Sequence, residues 1–207
     1  MYFHTRGDIL NWATIADYQL KDFMMVSVEV YEALHQAYLN ENWPFQLIFL
    51  IVLAIQMAMI PRYRIPTLIV LSLVWIFLAW VYMAQTLGQV IWLGETLAWL
   101  CTAQALLILG SSILTKVDES DGTRPSMHLK ALVFLIVSVP WEALISGQWS
   151  LSQSYGLGVL SSVSASIAIT WLTLKSGKTR LILLIIPFAL LLFQCFLLYG
   201  LYFNSVS

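Results

Sequence analysis

The chain has 207 residues, 60% of them hydrophobic and 10% charged, with a net charge of −1 and a mean hydropathy of +0.82. Soluble domains carry about 45–50% apolar and about 25% charged residues, so the composition excludes a soluble globular fold and equally a disordered chain. The balanced charge gives no basic field for nucleic acid and two cysteines make no disulfide framework, which leaves an integral membrane protein.

Residues 1–42 read as an N-terminal extracytoplasmic segment and residues 43–207 as the transmembrane domain. The first 42 residues lack the basic start, apolar core and small-residue cleavage site of a signal peptide. Asp17 is placed to cap a helix over residues 18–40. Along it Met24, Val28, Tyr31, His35 and Tyr38 recur at three- and four-residue steps, with Asp22, Glu29, Gln36 and Asn40 largely on other faces. That spacing predicts an amphipathic helix lying on the outer membrane surface or against the bundle. Its acidic character means that apolar contact, not anionic lipid, holds it there.

A bilayer core of about 30 Å needs about 20 mostly apolar residues per helix. Six segments qualify: 43–60, 65–87, 90–114, 129–145, 155–174 and 181–203, the fourth carrying Pro140. The breaks have physical causes: Pro61 and Pro66 around Arg62-Tyr63-Arg64, then Gly88, a charged loop over 116–130, a polar stretch over 148–154 and a basic connector over 175–180. The fold class expected is therefore all-α, a polytopic six-transmembrane-helix bundle with an N-terminal amphipathic surface helix. Orientation follows from the positive charges. Arg62, Arg64, Lys116, Arg124, Lys130, Lys175, Lys178 and Arg180 all fall in the first, third and fifth connections, eight of the ten basic residues. The positive-inside rule makes those connections cytoplasmic and both termini extracytoplasmic. Trp43, Trp80, Tyr82, Trp92, Trp149, Tyr155, Tyr199 and Tyr202 then fall near outer helix ends, as an interfacial aromatic belt.

Charges within a span cost roughly 2.5–3.5 kcal/mol each on insertion scales, and two need explaining. Glu95 lies about five residues into the third span and Glu142 shortly before the outer end of the fourth, so both sit at similar depth. They are candidates for a polar site at an outer mouth, or else interfacial carboxylates bonded to nearby groups. In the surface helix Glu29, Glu32 and His35 stand three residues apart, and Glu32-x-x-His35 has the form used in carboxylate-bridged metal sites. One such motif falls short of a di-metal centre, so no metal and no other cofactor is expected. In the fifth span Gly158, Ser162, Ser166 and Thr170 form a ridge at four-residue spacing, either a close-packing face or a hydroxyl-lined path. Gln56, Gln104 and Gln194 bring amides into the bilayer that must bond within the bundle. Cys101 and Cys195 read as small buried hydrophobes. His4, His35 and His128 all lie outside the spans, the Gly-x-Ser-x-Gly and His-Glu-x-x-His patterns are absent, and so is a complete phosphate-binding loop. No enzyme activity is expected on these grounds.

Several stretches resemble an uncharacterised family of bacterial six-helix inner-membrane proteins, a domain of unknown function. They are Tyr38-Leu-Asn40-Glu-Asn42-Trp43-Pro44-Phe45-Gln46 at the mouth of the first span, Leu73-Val-Trp75-Ile-Phe-Leu-Ala-Trp80-Val-Tyr82 in the second, and Gly156-Leu-Gly158 with Pro187 later. Where family members often carry His after the tyrosine and a Cys-Pro element, this chain has Met83 and Leu160-Ser161-Ser162. The resemblance implies the fold but no activity. Two functions are compatible with these features. One is a small transporter or channel-like protein for a small polar solute or ion, and the other a structural or assembly subunit of a larger membrane complex. The partners expected are the lipid bilayer and either further copies of the chain or other subunits.

Overall fold

The computed structural model describes residues 28–60, 63–89, 91–114, 155–174 and 176–203, with 133, 136, 138 and 139 between them. Among the described residues every element is a helix: α1 (Val28–Met59), α2 (Arg64–Gln89), α3 (Gly94–Leu114), α4 (Val159–Thr173) and α5 (Gly177–Phe203). Of these α1, α2, α3 and α5 are long and apolar enough to cross a membrane, and α4 is apolar but shorter. The protein is accordingly membrane-embedded. The start of the surface helix, the fourth expected span with Pro140, and Glu142 lie outside the described residues.

The expected separation between a surface helix and the first span is not found from Val28 onward. α1 runs unbroken for 32 residues, about 48 Å, so nearly its first half precedes the apolar segment that begins at Trp43. Pro44 sits inside it. The carbonyl that Pro44 leaves without an N–H belongs to Asn40, which is exposed and so open to water or headgroups, and the Asn42 side chain donates to Tyr38 O at 2.9 Å in the same turn. The helix therefore survives its proline.

α2 begins with Pro66 in its first turn, where a missing N–H costs no helical bond. It is α-helical to Phe77, π-helical over Leu78–Thr86 and closes in a 3-10 turn at Leu87–Gln89. Thr86 Oγ1 donates to Val81 O, five residues back, at 3.1 Å. A tight reversal leads into α3, with Ile91 N–H on Leu87 O and Gly94 N–H on Ile91 O, both at 2.9 Å. The α2–α3 hairpin is tied further in by Ser72 Oγ on Ala105 O at 2.9 Å.

α4 packs against α2 and α5, and α5 against α3. At 15 residues, about 22 Å, α4 falls short of the bilayer core, yet it is the most enclosed element: every residue except Leu160 and Trp171 is buried. A helix surrounded by protein need not match the lipid, and its many small residues let its neighbours approach closely. Its last carbonyls are met by Arg180, whose guanidinium donates to Leu174 O and lies 5.4 Å over the Trp171 ring. A cation there also complements the helix dipole.

A side-chain bond joins α2 to α4, from Trp75 Nε1 to Ser166 Oγ at 2.7 Å, with both residues buried. Ser166→Ala would strand the indole N–H, and we expect it to cost about 1–3 kcal/mol. In a Trp75→Phe background the same change should cost clearly less. Equilibrium unfolding in mixed micelles measures both, and equal costs in the two backgrounds would refute the coupling.

Candidate functional site

Four aromatic side chains meet where α1 crosses the π-helical part of α2. Tyr31, His35 and Tyr38 follow one stripe of α1 at four- and three-residue steps, and Tyr82 comes from α2. His35 stacks on Tyr31 with ring centroids 6.1 Å apart and meets Tyr82 edge-on at 6.0 Å. Tyr38 packs on Tyr82 at 5.1 Å. The three tyrosines are buried while His35 is half-buried, so the imidazole is the cluster's way out to its surroundings. Continued α-helical winding would have turned Tyr82 elsewhere, because a π segment carries more residues per turn.

Beneath the cluster lies a turn that is not helical. Tyr38 donates its hydroxyl to Leu157 O at 3.3 Å. Tyr155, Gly156, Leu157 and Gly158 are all buried. Gly156 has φ +86 and lies against the Phe49 ring. Tyr155 reaches further in and donates to Gln56 Oε1 at 2.9 Å, and Gln56 Nε2 donates to Thr67 O at 3.1 Å. Phe49 stands six residues, about 9 Å, past Trp43 along α1, and Gln56 is deeper still. Irregular backbone is thus held alongside the apolar part of α1, which lipid would not tolerate but surrounding protein does. Gly156 N–H is met by Ser162 Oγ at 2.9 Å, and Ser166 Oγ donates to Ser162 O at 2.7 Å.

The residues singled out from sequence fall in several places. The ridge Gly158, Ser162, Ser166 and Thr170 is buried within the chain rather than on its outer surface, and Ser162 and Ser166 spend their hydroxyls on the bonds just described. Glu95 is exposed in the first turn of α3, not several residues inside a span, because the reversal delays that helix to Gly94. A carboxylate in a first turn is favoured by the helix dipole, which relieves part of the cost of the charge. Glu142 lies outside the described residues. Glu29 and Glu32 are exposed on α1, on the same helix as His35. Among the described residues no three His, Cys, Asp or Glu side chains gather as metal ligands.

Two members of the expected aromatic belt belong to the interior instead. Tyr82 and Tyr155 are only 1% and 0% exposed, whereas Trp43, Trp80, Trp92 and Tyr199 are exposed as anchors should be. The signal for Tyr155 was its neighbours, since Gly156-Leu-Gly158 permits a close turn that bulkier residues would not. Nothing in the composition of Leu78–Thr86 marks the π segment that turns Tyr82 inward. Cys101 is buried as expected, but Cys195 is exposed on α5. No family model, curated protein or solved structure matches the chain.

Proposed function

We propose that the chain is a small transporter or channel-like protein that passes a small polar solute or ion, with its outer mouth at the His35–tyrosine cluster. The observation that carries this reading is the buried, non-helical turn Tyr155–Gly158 beside the apolar part of α1. Spanning proteins keep irregular backbone at that depth where it is enclosed by protein or lines a path. A π segment facing the turn adds to it, since such segments concentrate at functional sites. Glu95 and Glu142 would supply charge at the same mouth.

The same reading takes the chain as a six-span bundle, as its resemblance to the inner-membrane family implies. The described helix ends support that count. The turn before α4 lies beside Tyr38, near the end of α2 at Tyr82, whereas α3 runs back from there to Leu114 at the opposite end. One further crossing, as expected of residues 129–145, would return the chain to where α4 begins. The arginine and lysine distribution then makes the odd connections cytoplasmic and both termini extracytoplasmic.

The test is flux in proteoliposomes, with ion-sensitive dyes for protons, Na⁺ and K⁺ and light scattering for glycerol and urea. One probe should cross faster than in protein-free liposomes. Glu95→Gln or Glu142→Gln should slow it about tenfold, the effect of about 1.4 kcal/mol at the mouth. Flux equal to that of empty liposomes for every probe would refute the reading.

The alternative of an assembly subunit draws on one observation, the bareness of the outer helices: the apolar window of α1 is 22% buried and that of α5 28%, against 56% for α2. Intact mass after extraction in mild detergent separates the two, because stoichiometric foreign chains would favour the subunit.

A further inference from the structure

α5 carries Pro187 within its 27 residues, in a part of the helix where every neighbouring residue has its place in the backbone ladder. Proline has no N–H, so the carbonyl four residues earlier, Leu183 O, lacks its usual partner. In hydrocarbon that carbonyl would be an expensive orphan. Gln104 of α3 supplies what is missing: its Nε2 donates to Leu183 O at 2.8 Å, and the glutamine is fully buried. We infer that Gln104 is a latch across a hinge in α5, a side-chain donor from a neighbouring helix standing in for the N–H that Pro187 lacks.

Two consequences separate a latch from ordinary packing. A backbone ladder resists bending at every turn, but at Pro187 the resistance comes from one amide on another helix, so α5 can bend there when that one bond opens. Gln104 also keeps Oε1 buried with no hydrogen-bond partner among the described residues. The amide is therefore only half satisfied, which holds it less firmly than a fully bonded glutamine would be held. The device lies between α3 and α5, away from the aromatic cluster, and does not depend on the transport reading.

The experiment measures the bend directly. Spin labels are placed on the native, exposed Cys195 and on Ile113→Cys, an exposed position of α3, in full-length chain carrying Cys101→Ala and reconstituted in nanodiscs. Cys195 stands eight residues, about 12 Å, beyond Pro187, so a 20° change in bend moves it by about 4 Å. Gln104→Met keeps the volume but removes the donor. It should shift or broaden the label-to-label distance distribution by about that amount. In a Pro187→Ala background, where residue 187 again offers an N–H to Leu183 O, the same substitution should leave the distribution unchanged. An unaltered distribution for Gln104→Met with Pro187 present overturns the inference, and so does an equal change in both backgrounds. If Pro187→Ala does not fold, the comparison with Pro187 in place decides alone.

Discussion

Gly94→Ala is expected to leave little folded protein. A Cβ at Gly94 would lie 2.4 Å from both Cα and N of Gly88 and 2.8 Å from Met83 O. All three are backbone atoms of the preceding π and 3-10 turns, so no side chain can swing aside. Overpacking in a well-packed interior costs about 1–3 kcal/mol even where neighbours can adjust, and a backbone-on-backbone clash belongs at or above the top of that range. Total stabilities are only about 5–15 kcal/mol, so the loss is a large share. Gly88→Ala is the internal control, because its Cβ meets nothing nearer than Met83 O at 3.5 Å, an ordinary contact. Monodisperse yield on size exclusion and unfolding temperature in detergent read both. Equal behaviour of the two variants would mean that the α2–α3 reversal is not as close as described.

Gly156→Ala should be nearly as damaging, for two separable reasons. Its φ of +86 is a left-handed conformation that costs an L-residue about 1–2 kcal/mol. The added methyl would also come within 2.7 Å of the Phe49 ring, which is itself buried and held edge-on against Phe77 with centroids 4.9 Å apart. That steric part adds about 1–3 kcal/mol, for a total near 2–5 kcal/mol. The two parts come apart by mutation: Phe49→Leu in the Gly156→Ala chain should recover the steric share and leave the conformational share. If Phe49→Leu brings no recovery in the unfolding midpoint, the ring does not press on the turn.

The membrane class and the four long helices are legible from composition and apolar run length, because burial in lipid demands both. The stripe Tyr31, His35 and Tyr38 is legible too, since three- and four-residue spacing is what a helix face requires. Gln56 and Gln104 bond inside the bundle as the cost of a bare amide dictates. Other features leave no such trace. Trp43-Pro44 looks like a boundary because proline usually ends helices, yet it sits at a level where Asn40 can find an outside partner. The π winding of α2 changes rotation without changing composition, so Tyr82 reads as an anchor while lying in the core. Around α4 the polar–apolar contrast that normally distinguishes an inner from an outer face disappears, because only Leu160 and part of Trp171 face outward. The ridge visible at Gly158, Ser162, Ser166 and Thr170 is therefore one line on a helix that is enclosed almost all round.

The enclosure of α4 also bears on how the protein is made. Ser161, Ser162, Ser164, Ser166, Thr170 and Thr173 give the helix six hydroxyls in 15 residues, a poor composition for settling alone among lipid tails. By the time it leaves the ribosome, however, α1, α2 and α3 have already been synthesised, and with them Gln56, Trp75 and the tyrosine cluster that its end of the chain will meet. α5 follows within three residues and closes the open side. Chain order thus delivers the shortest and most hydroxyl-rich helix after its cradle has been made, so that neighbours already in place can meet its polar groups as it enters the membrane.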